Sequence, residues 1–340
     1  KTSLLKSESF CRNCIETVKN KSTLYLNADS ISYGNKDTFT KNISDWIAFD
    51  IEMNPKSLLL KGEGTVSDST GLSLVETLVL QEKTSFNKIA RVPKTTCYLL
   101  HYSTSNIQSL FDYCSKSTSV DSVDTMECKA NTLLLQEFLA QHITDNLTGI
   151  QFKDSTEADS CHTILSLPLK KPLMAKQHLI DLYFSSKRKD KEMPPRRLKW
   201  VQGGAHTIYS LPINNVLAQF TGDITKEAKY DYAIVYQNNL LIASQMHSLV
   251  SYINFIERND TLAVDMNEMN QLQLNPEYQL GGYMDLKMLL DKPIHYRGFV
   301  LPTFVLFYPN FFKDFKLFYQ VAINDKRTSF NLSFLYAKEE

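Results

Sequence analysis

Glycine is scarce in this 340-residue chain, with 11 in all, about half the usual share. A phosphate- or dinucleotide-binding loop needs several glycines at fixed spacing, and no GxGxxG, Walker or GxSxG stretch occurs. Six cysteines are too few for a disulfide scaffold. Charge of either sign is not in excess, since Lys+Arg and Asp+Glu are 37 each. That balance excludes a globally basic nucleic-acid binder. Long hydrophobic runs are missing as well: the longest, Phe299–Tyr308, is broken at Pro302 and ended by Pro309, short of the ~18 residues that span a bilayer. The chain opens at Lys1 with neither an initiator Met nor a signal peptide. An upstream targeting or anchoring segment, absent from this chain, is therefore expected.

What is present is an ordinary globular composition, 43% hydrophobic and 22% charged, long enough for two cores. Trp46–Ser67 reads as a hairpin with Asn54 and Pro55 at its corner, and Phe315–Tyr336 repeats the plan around Asn324, Asp325 and Lys326. Apolar Trp46, Ala48, Ile51, Leu58, Leu60 and Val66 are mixed with polar Asp50, Glu52, Lys61 and Glu63. That mixing suits an antiparallel sheet with one dry and one wet face. Both corners carry Asn followed two residues later by Lys, and both follow a possible short helix, Asp37–Asp45 and Tyr308–Asp314. These features predict an α+β fold: antiparallel sheets built from hairpins with single intervening helices, and a divergent internal repeat. The expected division is an N-terminal half, 1–186, a basic Pro-containing linker or loop at 187–199, and a C-terminal half, 200–340.

Along the chain, a helix is expected at residues 7–20 and a strand at Thr23–Asp29. Further strands are expected near Ser73–Gln81 and at Thr95–Tyr102. Ile107, Leu110, Phe111 and Cys114 form the stripe of an amphipathic helix capped by Ser105 or Asn106. Ser115–Asn131 reads as a polar loop before a helix at Thr132–Asn146. Gly149–Lys153 and Cys161–Leu167 read as strands and Met174–Ser185 as a helix. The next tract, SSKRKDKEMPPRRLKW, holds seven basic and two acidic residues, as a solvated linker does. Ala205–Leu211 reads as a strand. A hairpin at Tyr230–Ser244 turns at Asn238-Asn239, and Met246, Leu249, Val250, Ile253 and Ile256 form a second helical stripe. Tyr278–Leu290 reads as strand then helix.

No residue set points to catalysis. Cys11-Arg-Asn-Cys14 lacks both a thioredoxin-like strand before it and a second close pair for zinc, so packing or a simple disulfide is expected there. The seven histidines show no HxH, HExxH or HxxxH spacing. Gly203-Gly204 and Gly281-Gly282 read as bulges or bends in strands. Carboxylates such as Asp121, Asp124, Asp265 and Glu268 are not paired by any visible spacing. No cofactor, metal ligand or catalytic residue is assigned.

Three tracts carry a family resemblance: SDWIAFDIEMNPKSLLLKGEGTVSDS, YDYAIVYQNNLLIASQMHSLVSYINFIERNDTLA and YQVAINDKRTSFNLSFLYAK. Together they resemble the exported proteins of Bacteroidetes with a DUF3352-like domain, over most of residues 20–338. The resemblance implies an uncharacterised envelope-associated protein, periplasmic or membrane-anchored, and supplies no functional residues. In such an oxidising compartment the disulfide reading of Cys11 and Cys14 is the preferred one. The expected function is non-enzymatic, through contacts with an unknown envelope protein or a membrane surface and not with nucleic acid. An apolar-ligand carrier using the 36 Tyr and Phe residues, and a hydrolase with a site dispersed over distant loops, are the alternatives. The candidate contact lies in Phe299–Phe312, where ten of fourteen residues are Phe, Val, Leu or Tyr. Its edge at Phe307, Tyr308, Phe311 and Phe312 is expected to stay accessible, with Pro309 limiting indiscriminate strand addition.

Overall fold

The protein is represented by a computed structural model that describes residues 22–27, 46–65, 74–89, 91–117, 126–154, 161–185, 196–199, 205–211, 231–262, 272–291, 305, 307–324 and 327–337. Strands run over Thr23–Asn27 (β1), Trp46–Asn54 (β2), Ser57–Thr65 (β3), Thr96–Ser103 (β4), Asn146–Lys153 (β5), Cys161–Pro168 (β6) and Arg196–Lys199 (β7). They continue over Ala205–Ser210 (β8), Tyr232–Tyr236 (β9), Asn239–Ala243 (β10), Leu280–Asp285 (β11), Phe315–Asn324 (β12) and Arg327–Tyr336 (β13). Helices run over Leu74–Val79 (α1), Ile107–Ser117 (α2), Met126–His142 (α3), Pro172–Ser185 (α4), Met246–Glu257 (α5), Leu286–Asp291 (α6) and Pro309–Phe312 (α7). Residues 7–20, the Asp37–Asp45 segment, Cys11, Cys14, Gly203-Gly204 and most of Phe299–Leu306 lie outside the described residues.

Two compact units interleave along the chain. Unit one takes Lys1–Asn87, Cys97–Ser103 and Ala263–Glu340, and unit two takes Lys88–Thr96 and Thr104–Leu262. Residues 187–199 do not mark the boundary, and Arg196–Lys199 within them is β7, paired with β8.

Unit one is built on antiparallel strands in the order β1-β2-β3-β13-β12-β11-β4. This corrects the α+β expectation. The two hairpins resembling each other are not equivalent parts of separate halves; β3 of the first pairs directly with β13 of the second, from Arg327↔Thr65 to Leu335↔Ser57. The architecture is β-rich antiparallel sheet with short helices laid on it, not repeated hairpin–helix modules. Edge-to-edge pairing of the hairpins satisfies backbone groups that each would otherwise expose. The first hairpin turns at Pro55-Lys56, between the paired Asn54 and Ser57, where proline presets the required dihedral. Helices α1 and α6 both pack on β12.

Gln279 and Gln320 extend the sheet's logic with side chains. Gln279 donates to the Ile323 carbonyl at 3.0 Å and accepts from the Ile323 N–H at 2.9 Å. Gln320 makes the same double bond to the backbone of Asn275, at 2.8 and 2.7 Å. Each amide mimics a peptide unit, so both polar groups of a buried glutamine are satisfied at once.

The expected strand near Ser73–Gln81 is the helix α1 instead, with Thr77 and Leu78 buried and Val79 and Leu80 exposed. An apolar run this short has no decisive period, and packing on β12 selects the helix. The Gly281-Gly282 pair is not a bulge, because β11 pairs without a slip on both sides, Gly282 opposing Tyr319 and Leu100. Glycine is required there by close approach: a Cβ on Gly282 would collide with the Leu99 carbonyl oxygen and the Tyr319 hydroxyl.

Unit two is antiparallel in the order β5-β6-β10-β9-β8-β7. The β9–β10 turn is Gln237-Asn238, one residue earlier than expected, with Gln237 at φ 50°. Helix α3 begins at Met126, inside the stretch expected as loop. Asn106 caps α2, its side-chain oxygen accepting the Ser109 N–H at 3.2 Å. Helix α5 lays Leu249, Ile253 and Ile256 on β6 and β10, each contributing about 1.5–3 kcal/mol through burial. Strands β5 and β6 are buried on both faces, so the one-dry, one-wet pattern does not hold for them.

Candidate functional site

At one end of unit one the chain makes a single helical turn and enters β12. Pro309 occupies the first helical position of α7, where its missing N–H costs nothing. The Tyr308 carbonyl accepts from Phe311 and Phe312 at 3.0 and 3.1 Å. This turn separates the fates of four aromatics. Phe312 is 5% exposed, whereas Phe307 is 71%, Tyr308 65% and Phe311 55% exposed. Of the four expected contact residues, three are therefore accessible and Phe312 is a buried anchor. Its ring lies 5.4 Å from Phe334 and 6.2 Å from Phe315, centroid to centroid.

The sheet extends this edge. Phe315 opposes Tyr336, their rings 5.4 Å apart, and the Tyr336 N–H bonds to the Lys56 carbonyl at 2.8 Å. Met53 opposes Leu58, which opposes Phe334. Directly opposed residues share a sheet face, so exposed Met53 and Tyr336 lie on the face that Phe312 covers. Lys56 and Lys313 are exposed beside this edge in the chain, and half-buried Glu52 and Asp314 adjoin it as well. The edge thus sets large apolar side chains beside charged residues of both signs.

Three clusters invisible in the sequence form inside the units. In unit two, His142 Nε2 and His178 Nδ1 stand 2.7 Å apart. One ring must donate and the other accept, so the pair holds one proton between those nitrogens. Burial, then the neighbouring His178 and Lys170, holds His142 below the ordinary imidazole value. Also in unit two, His162 Nδ1 meets Ser248 Oγ at 3.1 Å. The two form a nucleophile–base type of contact among the described residues, with both side chains buried. In unit one, Tyr319 donates to Tyr98 at 3.2 Å and His101 Nδ1 meets the Tyr278 hydroxyl at 2.7 Å. Burial pushes Tyr98, Tyr278 and Tyr319 well above the ordinary phenol value. These contacts join residues 36 to 221 apart in sequence, so no local spacing announces them. Among the described residues no group of three or more His, Cys, Asp or Glu side chains is arranged to hold a metal, and no helix is long and apolar enough to cross a membrane.

No protein-family model matches the chain, and neither does any curated protein. Among solved structures, crystal form III of TP0453 is similar at a TM-score of 0.32 and 9% identity, covering 74% of this chain and 96% of that one. Crystal form I of TP0453 is similar at 0.29 and 9%, covering 74% and 93%. Likeness of this degree carries no argument about what the chain does.

Proposed function

We propose that this chain is a non-enzymatic, envelope-associated protein that docks on a membrane surface through the edge formed by Phe307, Tyr308 and Phe311. The observation that supports the reading is the exposure of these three side chains around a buried Phe312 anchor. A rigid anchor beneath exposed aromatics lets them contact a surface without first losing much conformational freedom. Aromatic rings with lysines beside them suit the interface between headgroups and acyl chains, where apolar bodies bury and cationic tips stay wet. Lysine is depleted in the cores of protein–protein interfaces, so exposed Lys56 and Lys313 favour the membrane over a protein partner. The DUF3352-like resemblance of the three tracts agrees with a place in the cell envelope.

Co-sedimentation with phosphatidylcholine vesicles tests this reading. The Phe307→Ser/Tyr308→Ser/Phe311→Ser variant is expected to bind at least tenfold more weakly than the native chain while melting at nearly the same temperature. Equal binding of the two, or binding of the native chain only to an isolated envelope protein, would refute the membrane as the docking partner.

A further inference from the structure

A second exposed apolar tip lies in unit two, where β6 passes into α4. The chain leaves β6 at Pro168, reads Leu169-Lys170-Lys171, and starts α4 at Pro172. The inward face of α4 is Ala175, Leu179 and Leu182, all buried. Leu173 stands on the opposite side and Met174 on the flank, 85% and 48% exposed. A leucine this exposed at the first turn of a helix does nothing for the core of its own unit. Lys170, Lys171 and Lys176 are all exposed around it, and no acidic residue occurs between Leu169 and Ile180. The first carboxylate beyond is Asp181, which accepts from Gln177 at 3.4 Å.

The segment is also firmly held from below. Leu169 bridges Ile143, its N–H bonds to the Asn238 carbonyl at 2.8 Å, and the Lys170 N–H bonds to the His142 carbonyl at 2.8 Å. Two apolar side chains are therefore presented on fixed backbone within a ring of three cations.

We infer that the Leu173–Met174 tip is a binding site for anionic lipid headgroups, inserting its two apolar side chains while Lys170, Lys171 and Lys176 neutralise the surface. The charge selects this occupant. A protein groove would have to bury three lysines, which interface cores exclude, whereas an anionic bilayer gains from each, roughly fivefold in binding per lysine. Hydrocarbon contact by Leu173 adds about tenfold. The site belongs to unit two, and its contribution depends on lipid charge and falls with salt.

The test uses the full chain with vesicles of phosphatidylcholine, alone or mixed with phosphatidylglycerol. The native chain is expected to prefer the mixed vesicles, and added salt to abolish that preference. Leu173→Ser should weaken binding to mixed vesicles about tenfold, and the Lys170→Gln/Lys171→Gln/Lys176→Gln variant on the order of a hundredfold, with melting temperatures unchanged because all four residues are exposed. Leu173→Trp gives a gain-of-signal readout, a blue shift of emission on mixed vesicles alone. The Phe307→Ser/Tyr308→Ser/Phe311→Ser variant should keep the preference for anionic lipid, so the two sites fail separately. The inference is overturned if the lysine variant retains the preference, if Leu173→Trp emission does not move, or if Leu173→Ser abolishes only self-association of the chain.

Discussion

The rings of Phe311 and Phe312 stand at 89° to each other with centroids 4.9 Å apart, yet only Phe312 is buried. One turn of helix thus divides adjacent residues between stability and contact. Phe312→Ala is expected to destabilise the protein by about 3–5 kcal/mol, because it empties the space against Phe334 and Phe315. Phe311→Ser should change stability by less than about 1 kcal/mol. Urea unfolding of the two variants decides this, and equal losses would show that both rings serve the core.

Acid should destabilise unit two through its histidines. His142 is held below its ordinary value of 6.5 by burial, then His178 and Lys170. His206 is lowered by burial despite the opposing charge of Glu257. A depressed histidine means that the unfolded chain binds the proton more readily than the folded one. The stability is fully present above 6.5 and is lost as pH falls through the folded value. Melting temperature should therefore fall between about pH 7 and about pH 5, in the range where histidine titrates. His142→Gln should flatten that slope; an unchanged slope would mean that the pair is not responsible.

Gly282→Ala should cost about 3 kcal/mol, since its Cβ would meet the Leu99 carbonyl and the Tyr319 hydroxyl. The backbone of β4 cannot withdraw without breaking the ladder that pairs Gly282 with Leu100. An unchanged melting temperature would show that β4 and β11 are farther apart than described.

Tyr278→Phe should cost about 1–3 kcal/mol, because it strips the hydroxyl that meets buried His101 Nδ1 at 2.7 Å. A loss well below this, measured by chemical unfolding, would mean that water replaces the hydroxyl.

The hairpins, the α2 and α5 stripes and the aromatic edge were legible because each signal is local. Asn54, Pro55 and Lys56 mark a turn whatever surrounds them, and Leu249, Ile253 and Ile256 recur at the helical period. The order of strands was not legible. Pairing of β3 with β13 joins residues more than 250 apart, as Thr65 with Arg327, and leaves no trace in either strand. Separation in sequence, 36 and 221 residues, likewise hid the His142–His178 and Tyr98–Tyr319 contacts. The likeness of the two hairpins reflects what neighbouring strands of one sheet share, not a repeated unit. Within the aromatic edge, composition alone could not tell Phe311 from Phe312, since the difference lies in the direction of a single helical turn. Leu173 passed unnoticed because a Pro-Leu-Met run reads equally well as core until its exposure is seen.

The central claim, that the edge around α7 meets a membrane, is tested most directly by hydrogen–deuterium exchange of the full chain with and without phosphatidylcholine vesicles. The account predicts slowed exchange on vesicle binding at the backbone amides from Phe307 to Lys316, and around the Met53–Ser57 turn that shares the same face. Bound chain with unchanged exchange at both segments would contradict it.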